Sequence, residues 1–261
     1  MQQLTISLGQ MDILLGEPEH NLATVRQMTA EAARRGSDLV VFPELWSTGY
    51  DLDHAADYAT TTDAGIFKEV GALAQEYRIA IVGSCLSVLG SEKFGNTAVY
   101  TAPSGQNLTA YSKTHLFRLM NEEQYLTAGD KLSLAATAWG KMGLAICYDL
   151  RFPELFRAYA LAGATAVLLP AEWPYPRLAH WRTLLRARAI ENQMFVIACN
   201  RVGQTGDTRF FGRSAIIDPW GEIVVEGGDQ ELLLTATIDL EMVTAVRERI
   251  PVFADRRPDI Y

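Results

Sequence analysis

The chain has 261 residues, of which 49% are hydrophobic and 21% charged, and carries a formal net charge of −8. That balance suits a globular protein with a sizeable core and argues against nucleic-acid binding, because an acidic chain without a basic run has little to offer a phosphate backbone. No window approaches 18 consecutive apolar residues, so no membrane span is expected.

The N-terminus MQQLTISLGQ has no basic n-region or long apolar stretch and reads as a first strand rather than a leader. Residues 20–35 form a helix that Gly36 stops. SDLVVFPE is a buried strand ending at Pro43–Glu44, and residues 63–78 are a second amphipathic helix, followed by the strand IAIVGSCLSV. TAVYTA and LTAYSK pair as a hairpin through Pro103–Ser104–Gly105. A long loop then carries Lys113 to Asp130, the kind of segment that in a compact domain is usually functional. KMGLAIC is a strand, FPELFRAYALAG a helix and ATAVLLPAEW a strand. Residues 178–193 form a helix, MFVIACNRV a strand, and SAIIDPWGEIVVEG a hairpin turning at Asp218–Gly221. A strand near 232–239 and a helix at 240–249 follow. There is no linker, low-complexity tract or repeat, so residues 1–261 read as one domain. Hairpins mixed with helix-separated strands fit sheets packed on each other, with helices outside, better than a pure βα barrel.

Three reactive side chains fall just past the ends of apolar runs: Glu44 after LVVFP, Lys113 after LTAYS and Cys147 after GLAI. Such positions collect at one rim of a sheet, where α/β proteins place ligands. If the three strands are neighbours, a carboxylate, an ammonium and a thiol converge. A thiol of ordinary pKa is mostly protonated near neutrality; a carboxylate in reach can take its proton, and an ammonium stabilises the charge that results. The turn into FPELFRAYA could offer backbone N–H groups to an oxyanion. Each residue also has an ordinary reading, Cys147 as a small core residue and the other two as solvated charges.

The words around these residues carry more. VVFPELWSTGYDL, YSKTHLF and GLAICYDLRFPELFR resemble the three catalytic motifs of the nitrilase (carbon–nitrogen hydrolase) superfamily, in the same order, with ARAIENQMFVIACNRVG and GRSAIIDPWGEIV as further family-like stretches. The resemblance implies an α/β fold, a four-layer α-β-β-α sandwich of two mixed sheets packed face to face. It implies Glu44 as general base, Cys147 as nucleophile, Lys113 as stabiliser of the tetrahedral intermediate and the backbone N–H of Tyr148 as its second donor. A further glutamate is implied in NEEQYLTAGD, Glu122 in preference to Glu123, orienting Lys113 and the substrate amide nitrogen. No metal or organic cofactor is implied, and a homodimer or higher homo-oligomer is.

PELWSTGYDL, KTHLFRLMNEEQYLTAGD, AEWPYPRLAHW and RERIPVFADRRPDIY are most similar to the bacterial ω-amidase branch. That likeness implies hydrolysis of a small ω-amide such as 2-oxoglutaramate, to 2-oxoglutarate and ammonia, through a thioester. A substrate with one anionic end needs a cation remote from Cys147, and Arg118 and Arg177 are the candidates. Tyr50 and Trp173 are candidate pocket walls. Asp149 and Arg151 are expected to be structural salt-bridge residues of the nucleophile turn, His115 and His180 supporting residues, and Cys85 and Cys199 inert. The rival readings are an N-carbamoyl amidohydrolase or nitrilase with the same triad, or an inactive scaffold of this fold. Three sparse cysteines (Cys85, Cys147, Cys199) suit the reducing cytoplasm.

Overall fold

The computed structural model describes residues 3–91 and 93–260. Met1 and Gln2, which begin the expected first strand, and Tyr261, which ends the family-like C-terminal stretch, lie outside the described residues with Glu92.

In chain order the elements are β1 (Gln3–Gln10), α1 (Pro18–Arg34), β2 (Leu39–Val41), α2 (Ala55–Tyr58), α3 (Gly65–Tyr77), β3 (Ala80–Gly90), β4 (Lys93–Thr101), β5 (Asn107–Ser112), α4 (Glu122–Tyr125), β6 (Leu134–Thr137) and β7 (Gly140–Leu144). They continue with α5 (Pro153–Leu161), β8 (Ala164–Ala171), α6 (Leu178–Asn192), β9 (Phe195–Asn200), β10 (Val202–Thr205), β11 (Thr208–Phe211), β12 (Ala215–Ile217), β13 (Ile223–Glu226), β14 (Leu232–Asp239) and α7 (Glu241–Arg249). Pro18 opens α1, where its missing N–H costs nothing. Gly36 leaves the same helix at φ +78°, a turn glycine takes without a Cβ penalty.

Two six-stranded sheets result, ordered β14-β1-β2-β3-β4-β5 and β13-β12-β9-β8-β7-β6. Each has three parallel strands at its centre, β1–β2–β3 in one and β7–β8–β9 in the other, flanked by antiparallel neighbours. Strand alternation explains why both faces of the first sheet are covered. Leu39, Val41, Ala80, Val82, Ala98 and Tyr100 point inward to a core shared with Met142, Leu144, Val167 and Leu169 of the second sheet. Val40, Ile81 and Val99, at the intervening positions, point outward to Val25 and Ala32 of α1 and Phe67, Val70 and Leu73 of α3. Helices α5 and α6 cover the other outer face, giving four layers. Among the described residues no helix is long and apolar enough to cross a membrane.

The expected elements are present, and the structure adds three that the sequence reading lacked. Strand β6 extends the second sheet, α2 forms a short helix after the first motif, and β10 with β11 makes a separate two-stranded ribbon. The long loop after Lys113 contains the single turn α4.

Candidate active site

Glu44 lies three residues beyond the end of β2. Leu45, next to it, has φ +41°, an uncommon backbone state for a branched residue, and is held there by its N–H donating to Ser84 Oγ at 2.9 Å. The turn sends the Glu44 carboxylate into the protein, where it is fully buried. Its Oε1 accepts from Lys113 Nζ (2.7 Å), Asn96 Nδ2 (2.8 Å) and the Tyr50 hydroxyl (2.9 Å), and its Oε2 from the backbone N–H of Glu172 (2.9 Å).

Lys113 follows β5 and is also buried. Its N–H donates to the Asn96 carbonyl (2.8 Å) and its own carbonyl accepts from the Gly129 N–H (2.9 Å). A Cβ at Gly129 would sit 2.1 Å from the Ser112 carbonyl oxygen, so the loop can return to the strand only through glycine. Between them the chain turns at Asn121 (φ +56°) and places Glu122 inside the protein and Glu123 outside. Glu122 Oε1 accepts from Lys113 Nζ and the Tyr50 hydroxyl, both at 2.6 Å, and Oε2 from the Phe117 N–H at 2.8 Å.

Cys147 begins a 3-10 turn, Cys147–Arg151, with φ +43°. Holding a non-glycine residue there costs on the order of 1–3 kcal/mol, and Asp149 supplies the anchoring. Its Oδ2 accepts from the Ile146 N–H and the Tyr111 hydroxyl (both 2.8 Å), its Oδ1 from the His115 N–H (3.2 Å) and pairs with His115 Nδ1 (2.7 Å). His115 stacks on Phe152 at 3.6 Å between ring centroids. The Glu44 carboxylate and the Glu172 N–H both act on the thiol, the first raising its pKa and the second lowering it. N–H groups at the start of such a turn have no preceding carbonyl to bond, which leaves the Tyr148 N–H available in principle.

The electrostatics follow from burial. Burial and the neighbouring Glu44 push the Cys147 thiol well above the ordinary range, against the opposing Lys113 ammonium, so the resting sulfur is protonated. Burial works to lower the Lys113 ammonium, but Glu44 and Glu122 outweigh it and hold the lysine above its usual value. Burial and Glu44 raise the Glu122 carboxyl, with Lys113 opposing. Burial, Glu122 and Glu44 raise the Tyr50 phenol, so it keeps its one proton, which the two carboxylates share. Such an arrangement can pass a thiol proton to a carboxylate while an ammonium faces the new charge.

The thiol opens onto a cavity of about 230 Å³, mouth included, lined by Phe117, Cys147, Tyr148, Arg151, Glu172, Trp173, Pro174 and Arg177. The space open to the centre of a water molecule is about 10 Å³, far below the roughly 300–1,000 Å³ of drug-sized sites, so the site is narrow. Trp173 and Arg177 fall on it as expected. Arg118 does not: it is exposed and lines an adjoining depression that shares Phe117 and Tyr148 with the cavity. Tyr50 is not a wall, because its hydroxyl turns inward onto the carboxylates. Nor is Arg151 a salt-bridge partner of Asp149. It leaves the turn on the opposite side and lies over the Trp173 ring at 4.7 Å, on the cavity. His180 reaches it only at 3.4 Å.

The three motif strands are not neighbours either. β2 and β5 are separated by β3 and β4 within one sheet, and β7 belongs to the other. The side chains meet because the sheets pack face to face, with Asn96 of β4 bridging toward Glu44. Sequence reading also missed Asn96, Glu172 and Arg201. Glu172 carried a usable signal, a carboxylate directly after the buried run AVLLPA, and Arg201 likewise follows the buried strand FVIACN. Among the described residues no group of three or more histidine, cysteine or acidic side chains is arranged to hold a metal ion.

The carbon–nitrogen hydrolase sequence profile matches residues 5–248. The chain belongs to the carbon–nitrogen hydrolase family. Among its carbon–nitrogen hydrolase relatives, the 2-oxoglutaramate amidase of Bacillus subtilis (strain 168) is 42% identical over 98% of this chain and 99% of its own. A CN-hydrolase superfamily protein of Xanthomonas campestris, solved with an arsenic adduct in its active site, superposes with a TM-score of 0.91 at 32% identity, covering 98% of each chain. A variant of the amidase from Nesterenkonia sp. AN1 superposes with a TM-score of 0.88 at 27% identity over 98% of this chain and 95% of that one. That structure carries the acetamide moiety of fluoroacetamide covalently added at its active-site cysteine.

Proposed function

We propose that this carbon–nitrogen hydrolase cleaves the carboxamide of a small ω-amide bearing a carboxylate, with 2-oxoglutaramate as its substrate, to 2-oxoglutarate and ammonia. The observation that carries the substrate reading is the pair of arginines on the cavity. Arg151 and Arg177 face the space that the Cys147 thiol faces, each stacked on an aromatic ring, and neither has an acidic partner among the described residues. Burial and the adjacent Arg177 lower the Arg151 guanidinium from its ordinary value, so the two cations disfavour each other until an anion arrives. The identity with the Bacillus amidase supports the same reading.

In this mechanism Glu44 takes the Cys147 proton as the sulfur attacks the amide carbon. Lys113 and the Tyr148 N–H hold the oxyanion, and Glu122 and Tyr50 keep Lys113 and Glu44 in register. The proton on Glu44 passes to the leaving nitrogen, the C–N bond breaks, and ammonia departs from a thioester. Water, deprotonated by Glu44, then attacks the thioester; the C–S bond breaks and the thiol recovers its proton. The homodimeric state and cytoplasmic location belong to this reading, supported by the family likeness and by the need of a nucleophilic thiol for a reducing setting.

The test is ammonia release from 2-oxoglutaramate, glutamine, an amide of equal length without a carboxylate, an N-carbamoyl amine and a nitrile, with Cys147→Ala as control. Cys147-dependent preference for 2-oxoglutaramate is expected. Preference for the carbamoyl compound or nitrile overturns the substrate and keeps the chemistry; residual turnover in the Cys147→Ala protein overturns the chemistry.

A further inference from the structure

Glu172 stands on the wall of the Cys147 cavity and has no part in the mechanism above beyond its backbone. Its side chain is fully buried. One carboxylate oxygen, Oε2, accepts from Arg201 Nη1 at 2.9 Å. Arg201 is itself immobilised: Nη2 donates to the Ile13 carbonyl (2.5 Å), Thr205 Oγ1 (2.7 Å) and Asp12 Oδ1 (3.3 Å), and the guanidinium lies over the Phe210 ring at 4.3 Å. The other oxygen of Glu172, Oε1, is buried and has no hydrogen-bond partner.

A buried carboxyl oxygen without a partner is costly unless something else fills it. No protein donor fills it, Arg151 and Arg177 on the same cavity included. By contrast, each oxygen of Glu44 and of Glu122 accepts from at least one protein donor. Arg151 and Arg177 only donate. Apart from the thiol and the Tyr148 hydroxyl, Glu172 is the only side-chain acceptor on the cavity.

A 2-oxo-acid amide has the reverse inventory. Its carboxylate, ketone and amide oxygens accept, and its single donor group is the carboxamide NH2. Matching the two sets leaves one pairing for the open oxygen. Its place agrees, because the Glu172 N–H donates to Glu44 Oε2 at 2.9 Å and Glu172 lines the same cavity as Cys147, which puts this residue beside the catalytic carboxylate.

We propose that Glu172 is a specificity-determining residue whose free oxygen accepts a hydrogen bond from the N–H of the scissile carboxamide, so that the site selects primary amides over esters of the same acid. The inference rests on the amidase reading and adds to it a contact that the Glu44–Lys113–Cys147 arrangement does not require. Arg201 acts through Glu172 as a positioning residue, holding the other oxygen so that the free one faces the substrate.

The experiment compares 2-oxoglutaramate with the ω-methyl ester of 2-oxoglutarate, which carries no N–H at the reacting group. Both give the same thioester, and kcat/KM reports only the steps up to it. In Glu172→Gln the side-chain oxygen stays on Arg201 and an NH2 group replaces the acceptor. Glu172→Ala removes both. Each variant is expected to lose about 10–100-fold in kcat/KM on the amide, the effect of one charge-assisted hydrogen bond, and to stay within about 3-fold of wild type on the ester. Ester turnover also shows that each variant is folded; if the alanine protein does not fold, the glutamine variant decides. Parallel loss on amide and ester overturns the inference in favour of a purely structural Glu172. Retained amide turnover in Glu172→Gln overturns it too, since a donor would then serve. A wild type silent on both compounds removes the amidase reading, and this inference with it.

Discussion

Two buried ionic clusters flank the Cys147 thiol, and they differ in how completely they are closed. In the first, Lys113 is gripped by Glu44 and Glu122, the two carboxylates share the Tyr50 proton, and each carboxylate oxygen has a protein donor. In the second, Arg201 satisfies one oxygen of Glu172 and the other, buried, has no partner. Buried ion pairs add little net stability, because desolvation offsets their attraction, but they fix geometry when every lone pair is used. The closed cluster therefore holds groups against each other, and the open one holds a group ready for something that is not protein.

The sharpest way to break this comparison is to remove the sulfur. Cys147→Ala is expected to lower turnover by on the order of 10⁴-fold or more, while leaving the thermal midpoint close to wild type, since both clusters remain intact. Cys147→Ser should be nearly as inactive, because a hydroxyl is harder to deprotonate than a thiol. Steady-state kinetics and calorimetry on the same preparations check both halves.

Lys113→Met attacks the closed cluster itself. It strands two buried carboxylates, so it should abolish turnover and also cost about 3–5 kcal/mol in denaturant unfolding. Stability equal to wild type would mean that the cluster is not closed as described.

The open cluster has a pH signature. Burial, with Glu44 adding to it and Arg201 opposing, raises the Glu172 carboxyl from 4.5 to about 7. Between those values the folded chain binds a proton that the unfolded chain has released, so stability should fall as pH rises from about 4.5 through 7. The raised carboxyl of Glu122 acts in the same direction. The Glu172 contribution is about 3 kcal/mol, and unfolding at pH 5 and pH 8 should show a smaller difference in Glu172→Gln than in wild type.

The smallest effect separates the two arginines named from the sequence. Arg177→Ala should raise KM for the carboxylate-bearing amide about 10-fold or more with kcat less affected. Arg118→Ala, on the adjoining depression, should leave both within about 2-fold.

These comparisons also show what could be read from the residues. The strand–helix alternation was legible because period-2 and period-3.6 patterns are local, and Glu44, Lys113 and Cys147 stood out because each ends an apolar run. What was not legible depends on contacts far apart in the chain. That β2, β5 and β7 are not neighbours follows from the packing of two sheets, which no single stretch encodes. Arg151 lies two residues from Asp149, yet the 3-10 turn sends the two side chains to opposite sides, one to His115 and the other to Trp173. Tyr50 looked like a pocket wall because aromatic type says nothing of where a hydroxyl points. Glu122 is preferred to Glu123 only through the family resemblance, and the left-handed turn at Asn121 makes that difference one of inside against outside.

The first sheet has one further consequence, for the order of events during synthesis. Strand β1 lies between β2, its parallel partner, and β14, its antiparallel partner, with Gln3 opposite Asp239 and Gln10 opposite Leu232. The sheet that carries Glu44 and Lys113 thus stays short of a strand until the ribosome has passed Asp239. Through most of translation β1 has an unpaired edge, a surface that chaperones shield and that promotes association when left bare. Assembly of this hydrolase waits on the joining of two segments that are far apart in time as well as in sequence.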